Sequence, residues 1–565
     1  LDVTFTHQVS GTSYRVPGFF DGDGEGNGRG SVWRVRFTPD EAGDWAYQIS
    51  YRSGENIAVS LDREEGRPVE PDGKNGRFTI EPRDADAPGF GAVGRLEYVE
   101  RGPVEARHYL KFRDGGYWLK GGADSPENVL GYADFDNTTK APGSKGVLHE
   151  YAPHVADWNP GDPEWDDGKG RGIIGMLNYL AAEQVNSLYF LPMNIGGDGQ
   201  DTHPFVRTDL DLTGNAANDN LHYDISKLAQ WEEVFAHAQR LGIVLHFVLN
   251  EAEAPNKREL DNATLGIERK LFYREIIARF GHHNGLQWNI SEEYDLGLDL
   301  GPDRVKEFAG YIRAVDPYDH PMTVHQSRNP DNTWTPFLGD RRFDLTSFQY
   351  AGSIAGRGDE VEEWREWSRA AGRPLPIHMD ELRSTEPDGS NADAQRKDIL
   401  WPTYMSGGGG IEWYVAKGDQ GLEDMRGLAP IWQQTWHARK FFEENLPFWR
   451  MSPADALLEG ETGNRGQVFA AAGEVYALYF DDASSTGRLA LPNGSYRIRW
   501  YNPRSGAWAA DFAQIVADNG TITVGAPPRD ASEDWVLLIV RDDQTGVEEI
   551  RTSPDRLDLS VRIDR

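Results

Sequence analysis

The chain has 565 residues, 91 of them Asp or Glu and 58 Lys or Arg, for a formal charge of −33. That balance repels nucleic-acid phosphates and anionic membranes, and no basic cluster relieves it. With 38% hydrophobic residues, 18 Trp and no Cys, the chain is too apolar to be disordered, and disulfides, thiolate nucleophiles and Cys-zinc sites are excluded. No apolar run is long enough for a membrane helix, and the first residues, LDVTFTHQVS, carry no charged-then-apolar leader.

Residues 1–95 read as short strands. VTFTH (3–7), SYRVPGFF (13–20), SVWRVRFTP (31–39), DWAYQISYRS (44–53) and GRFTIEP (76–82) are β-rich and separated by Gly, Asp and Asn clusters. A β-sandwich is expected there. From about residue 105 short apolar runs alternate with amphipathic stretches. The spacing predicts a helix over 226–240, with Leu228, Trp231, Val234, Phe235 and Ala238 on one face, Asp224 as N-cap and Gly242 past the end. A second helix is expected over 268–280.

Eight candidate strands follow in order: YWLKGG (117–122), SLYFLPM (187–193), VLHFVLN (244–250), LQWNI (286–290), MTVHQ (322–326), LTSFQY (345–350), PIHMD (376–380) and IEWYVA (411–416). Eight strand-then-helix units predict a (β/α)8 barrel over 96–448; at about 340 residues it exceeds the roughly 250 typical of that fold, so insertions such as 156–172 are implied. Strands return after about 450, in QVFAAA, EVYALYF, GRLALP, GSYRIRWYNPRSGAW, TITV and DWVLLIVRD. They predict a second β-sandwich over 449–545, followed by a polar tail, 546–565. The fold class is thus a TIM barrel flanked by two β-sandwiches.

Barrels of this kind carry their active sites at the C-terminal strand ends. Strand one leads into Asp124 and Glu127, strand two into Asn194, Asp198, Asp201 and His203, and strand three into Asn250, Glu251 and Glu253. Strand four carries Trp288 and Asn289 and ends in Glu292, Glu293 and Tyr294. Strands five and six end in His325 with Gln326 and in Gln349 with Tyr350. Strand seven ends in Asp380, Glu381 and Arg383, and strand eight carries Glu412, Trp413 and Tyr414. Acids, amides and aromatics collected at one mouth suit a sugar: the polar groups bond hydroxyls and flat rings cover pyranose faces. Glycoside hydrolysis needs two carboxyl groups flanking the scissile bond. The pair chosen is Glu293 and Glu381, because strands four and seven face each other across a barrel mouth.

WNISEE (288–293) resembles the strand-four acid/base motif of clan A glycoside hydrolases, in which Asn-Glu ends the fourth strand, and HMDE (378–381) resembles their strand-seven nucleophile. The resemblance implies Glu293 as acid/base, Glu381 as nucleophile, retention of configuration, and substrate-orienting roles for His325 and Tyr350. Glu292 stands where the family keeps Asn. The proton donor therefore lies between Glu292 and Glu293, with Glu293 ranked first, and Asp380 competes with Glu381 in the same way. VPGFFDGDG (16–24) with VWRVRFTPDEAGDW (32–45) is similar to a β-sandwich module that precedes bacterial carbohydrate-active barrels. GSYRIRWYNPRSGAW (494–508) resembles a C-terminal collagen-binding-type sandwich found in the same architecture.

Several motifs have quieter readings. NIGGDG (194–199) lacks the Lys of a phosphate loop and the dinucleotide spacing. DGDGEG (21–26) imitates an EF-hand start, but position 12 would be Val32; a glycine-rich turn is preferred to a structural calcium. No HExxH pattern exists, so neither catalytic zinc nor another cofactor is expected. Trp413 is weighed as sugar platform against barrel wall, and Lys120, Arg383 and Lys417 as seats for a sulfate or uronate. The sequence thus predicts a retaining glycoside hydrolase, outside the cytoplasm, acting on a polysaccharide or oligosaccharide. A uronate-specific lyase using Tyr350, His325 or Arg383, and a non-catalytic glycan-binding protein, are the alternatives.

Overall fold

The computed structural model describes residues 1–139, 147–197, 199, 202–207, 218–327, 329–350, 357–382, 385–462 and 466–542. Its centre is a ring of eight parallel strands: Lys120–Ala123, Ser187–Phe190, Val244–Val248, Leu286–Asn289, Met322–Gln326 (broken at Val324), Ser347–Tyr350, His378–Leu382 and Gly410–Trp413. The fifth strand closes the ring. Its first half pairs with strand four (Trp288 with Met322, Asn289 with Thr323), and its second half with strand six (His325 with Ser347, Gln326 with Phe348). All eight predicted strands are present.

Helices cover the ring because their apolar stripes match its outer face. In the helix Ile225–Leu241 the buried positions include Leu228, Trp231, Val234, Phe235 and Ala238, and the Phe235 ring lies 5.2 Å from both Phe190 and Phe247. Burying each such side chain contributes about 1.5–3 kcal/mol. Asp224 caps the helix by accepting from Lys227 N at 3.2 Å. Gly242 ends it at φ 77°, a left-handed turn that favours glycine.

A small antiparallel sheet, Leu96–Tyr98, Leu110–Phe112 and Tyr117–Trp118, seals one end of the barrel. Phe90, Leu96, Leu110, Phe112 and Trp118 pack with Val244 and Leu345, which lie at the beginnings of strands three and six. The predicted first strand, 117–122, is therefore two: residues 117–118 belong to this floor and 120–123 to the barrel. Among the described residues this sheet plugs the N-terminal end of the barrel.

The N-terminal residues form a four-stranded antiparallel sheet in the order Ser13–Pro17, Asp2–His7, Gly43–Ser50, Asn75–Ile80. Its inner face, with Tyr14, Val16 and Trp45, meets Tyr318 of the barrel. Of the strand expected over 31–39, only Trp33–Arg34 pairs as one. The rest runs extended against the barrel. Phe37 stacks on Phe5 at 4.1 Å, Thr38 N donates to Tyr318 Oη (3.0 Å), and Arg36 Nη1 donates to Arg279 O (2.9 Å), so tertiary partners replace a ladder. DGDGEG is a turn closed by Asp23 Oδ1, which accepts from Glu25 N and Asn27 N, while Asp21 pairs with Arg34 at 2.6 Å.

At the other end two antiparallel sheets enclose a second core. Val468, Tyr476, Leu478, Trp535 and Leu537 of the larger sheet pack with Leu489 and Ile522 of the smaller one. Ala513–Ala517 is a strand that the sequence did not reveal. This sandwich docks on the barrel through Trp401 stacked on Tyr479 (5.3 Å) and a buried Arg396–Asp534 pair (2.7 Å). The predicted tail, 546–565, lies outside the described residues. Among those described, no helix is long and apolar enough to cross a membrane.

Candidate active site

Strand alternation sends one residue in two toward the barrel axis. Lys120, Ser187, His246, Asn289, Ser347, Asp380 and Glu412 thereby meet inside the barrel. Lys120 Nζ lies 2.9 Å from both Asp380 Oδ1 and Glu412 Oε2. His246 Nδ1 is 2.8 Å from Glu412 Oε2, and Asn289 Nδ2 lies 3.2 Å from His246 Nε2 and 3.3 Å from Ser347 Oγ. Burial lowers the Lys120 pKa and its two carboxylates raise it; the carboxylates prevail and hold it charged. Asp380, Glu412, Asn289 and Lys120, which the sequence placed at the mouth, are therefore members of a buried network. Replacing Lys120 with Met leaves two carboxylates uncompensated. Unfolding free energy, measured in urea, is expected to fall by about 3–5 kcal/mol.

Trp288 and Trp413 obey the same alternation and point outward. Trp288 Nε1 donates to Asp316 Oδ2 (3.1 Å) and Trp413 Nε1 to Thr435 Oγ1 (2.9 Å) in the helix Ala429–Asn445, so both are barrel wall and neither is a sugar platform. Tyr414, the residue after Trp413, is one aromatic residue at the mouth. Its hydroxyl pKa is raised by burial and then by Glu127, Asp419, Glu381 and Glu292, which locates it beside the acids.

Alternation would turn Glu381 away from the axis once Asp380 faces it. The pairing of strands six and seven slips at this point: Phe348 aligns with Met379, but Gln349 aligns with Glu381. Bulges of this kind re-aim side chains beside active sites. Here the slip lets Asp380 enter the interior network while Glu381 enters the mouth. Carboxylate oxygens of Glu381, Glu292 and Glu127 lie within 4.8 Å of one another, and all three residues are at most 5% exposed.

The glutamate brought to Glu381 is Glu292, whose N–H donates to Asn250 O at 2.9 Å. Glu293, ranked first from the sequence, is outside this cluster. Its backbone turns left-handed (φ 34°), and its carbonyl accepts from Lys257 Nζ at 2.7 Å.

The other predicted residues divide into groups. His325 Nε2 stands 3.5 Å from Glu381 Oε2, and its Nδ1 lies 3.2 Å from Tyr189 Oη. Burial first, then His246 and Lys120, push its pKa down to about 3, so the ring is neutral beside the carboxylate. Asp124 is fully buried with neither oxygen hydrogen-bonded, and Asn194 has both amide atoms in the same condition. Burial, then Glu381, Glu412 and Glu292, raise the Asp124 pKa well above the usual carboxylate range. Glu127 is raised by burial and then Glu292. Gly197 packs against Asn194 and Glu251: a Cβ there would come 1.7 Å from Glu251 Oε2 and 2.5 Å from Asn194 Oδ1, closer than side chains pack.

Asn250 is structural: its Nδ2 donates to Ile290 O (2.7 Å) and its Oδ1 accepts from Arg269. Glu251 N bonds Asn256 Oδ1 at 2.9 Å, which orders the turn after strand three. His203 accepts from Phe205 N at 3.2 Å, and burial keeps it neutral. Gln326 Nε2 donates to Gln349 O (2.8 Å), and Tyr350 packs edge-on against Phe348. Tyr294 donates to Thr333 O, and Lys417 pairs with Glu386 (2.9 Å). Asp198, Asp201 and Arg383 lie outside the described residues. Sequence reasoning missed Tyr189, which alternation in SLYF turns inward, and Asp419, which opens a single 3₁₀ turn, Asp419–Gly421, too short to leave a periodic signal; Asp419 Oδ1 accepts from Glu127 N at 3.3 Å.

Asp124 gives a pH test. Unfolded, it loses its proton near pH ~3.9; folded, it holds the proton to a higher pH. Above that lower pKa the native state binds more protons, so stability falls as pH rises, by up to about 1.4 kcal/mol per pH unit, until the folded pKa is reached. The stability of Asp124→Asn relative to the parent is therefore expected to increase between pH 4.5 and 6.5 in urea unfolding; parallel curves would contradict it.

Comparison with known proteins bears on the whole architecture. Residues 1–52 match the family model described as "Domain of unknown function (DUF5060)", and residues 453–540 match "Putative collagen-binding domain of a collagenase". No curated protein matches the chain by sequence. The crystal structure of a "putative glycoside hydrolase" from Bacteroides vulgatus ATCC 8482 is 15% identical, covers 96% of this chain and 94% of its own, and superposes with a TM-score of 0.68. A glycoside hydrolase family 5 structure from the same organism is 14% identical over 80% of this chain and 94% of its own (TM-score 0.56). The likeness shows the fold, a (β/α)8 barrel with antiparallel β-domains at both ends.

Proposed function

We propose that the chain hydrolyses O-glycosidic bonds of a polysaccharide or oligosaccharide by double displacement. Glu292 serves as acid/base and Glu381 as nucleophile. The observation that carries this reading is the approach of their carboxylate oxygens, within 4.8 Å, from strands on opposite sides of the mouth. Retaining enzymes hold the pair about 5–5.5 Å apart, whereas inverting ones need about 6.5–9.5 Å to admit water.

In the first step Glu292 protonates the bridging oxygen as Glu381 attacks the anomeric carbon. In the second, Glu292 takes a proton from water, which displaces the sugar from Glu381. Asp124 and Glu127, whose own carboxyls burial pushes above the usual carboxylate range, line the same site. His325, neutral, lies against Glu381 and orients it. A lyase would need a cation to neutralise a uronate; Lys120, one of the cations considered, is committed to Asp380 and Glu412 inside the barrel. The names of the two Bacteroides structures agree with hydrolysis. A polysaccharide, too large to cross a membrane, supports a site of action outside the cytoplasm.

The test is reducing-end release across a panel of polysaccharides with parent and Glu292→Gln protein. Release by the parent alone is expected; equal release by both would remove the mechanism. Products absorbing in the ultraviolet as unsaturated uronates would indicate elimination instead.

A further inference from the structure

A second constellation lies at the opposite end of the barrel from the mouth. The helix Ile225–Leu241 supplies Glu232. His282 and His283 lie between the helix Ile267–Phe280 and Leu286, the first residue of strand four. His282 Nε2 is 3.1 Å from Glu232 Oε1, and His283 Nε2 is 3.4 Å from Glu232 Oε2. One donor atom from each residue lies within 4.8 Å of the others.

Two features distinguish this group from an ordinary ion pair. His283 is 5% exposed, and its Nε2, although close to the carboxylate, has no hydrogen-bond partner: it is aimed toward Glu232 but not aligned to donate. The two imidazole centroids lie 4.1 Å apart with their planes tilted by 37°, so both rings present to the same carboxylate. An ion receiving both Nε2 lone pairs and a carboxylate oxygen gives the buried His283 Nε2 a partner. Tetrahedral ligands at about 2.0–2.1 Å stand about 3.3 Å from each other, close to the 3.1 Å between His282 Nε2 and Glu232 Oε1.

The surroundings hold the donors in place. Arg36 Nη1 bonds Glu232 Oε2 at 2.9 Å and leaves Oε1 for the ion. Thr38 Oγ1 donates to His282 O, and His320 Nε2 lies 3.2 Å from His283 O. Arg36 and Thr38 come from the N-terminal segment that runs extended along the barrel.

We propose that Glu232, His282 and His283 bind a divalent transition metal of the zinc type, which fastens the N-terminal segment to the floor of the barrel. Two imidazoles and one carboxylate suit such an ion better than magnesium or calcium, which prefer oxygen. The role is structural, because the group is remote from the mouth.

The test uses the full chain without an affinity tag, dialysed against zinc and then gel-filtered. About one zinc per chain is expected by elemental analysis, and EDTA should lower the melting temperature, with zinc but not magnesium restoring it. His283→Gln and Glu232→Gln should lose the zinc and the EDTA response together. If either variant fails to fold, visible absorbance of the cobalt-loaded parent, characteristic of nitrogen ligation, decides the matter. A parent that retains no zinc and melts alike with and without EDTA, or zinc undiminished in His283→Gln, would overturn the proposal. Glycosidase activity enters none of these readouts, so this inference and the proposed function stand or fall separately.

Discussion

Glu292→Gln is expected to lower kcat on natural glycosides by about 10²–10⁴-fold, the usual contribution of a positioned general acid, while Glu293→Gln keeps kcat within about two-fold. The contrast between adjacent, chemically identical residues is the informative part. Glu292 places an oxygen within 4.8 Å of Glu381; Glu293 turns left-handed and its carbonyl is bound by Lys257. The amide cannot donate a proton to a departing sugar oxygen. A substrate with a good aryl leaving group needs no such proton and should still form the glycosyl-enzyme. Azide, which needs no general base, should then accelerate turnover of Glu292→Gln and produce a glycosyl azide of retained configuration. Loss of activity in Glu293→Gln with Glu292→Gln unaffected would reverse the assignment.

Glu381→Ala is expected to abolish turnover, by about 10⁴-fold or more, because the shortened side chain removes the carboxylate that attacks the anomeric carbon. Its melting temperature should stay close to that of the parent, since Glu381 is not part of the network that Lys120 neutralises. Asp380→Asn should behave in the opposite way: stability falls because Asp380 bonds Lys120 inside the barrel. The shortened side chain of Glu381→Ala leaves room for azide or formate, which would attack directly and give an inverted product. Full activity in Glu381→Ala would exclude it as nucleophile.

The barrel was legible because fully buried parallel strands are short apolar runs, such as SLYF and VLHFV, separated by stretches of helical periodicity. The acid-rich mouth was legible from strand ends alone. Which acid faces where was not. In HMDEL, simple alternation puts Asp380 and Glu381 on opposite faces, and only the slipped pairing with Phe348 and Gln349 brings both inward. In SEE, nothing local marks the turn at Glu293 that separates it from Glu292. Alternation did contain the answer for Trp288 and Trp413, since Asn289 and Glu412 face inward. The segment 31–39 has strand composition but gains its partners from the barrel, a tertiary effect that no local pattern encodes.

The most direct test of the central claim is the configuration of the first product. Proton NMR during the opening minutes of hydrolysis, before mutarotation, reads the anomer released. Two carboxylates whose oxygens approach within 4.8 Å predict the same configuration as the substrate bond. Release of the opposite anomer would mean that water, and not Glu381, attacks the sugar, and the double-displacement account would fail.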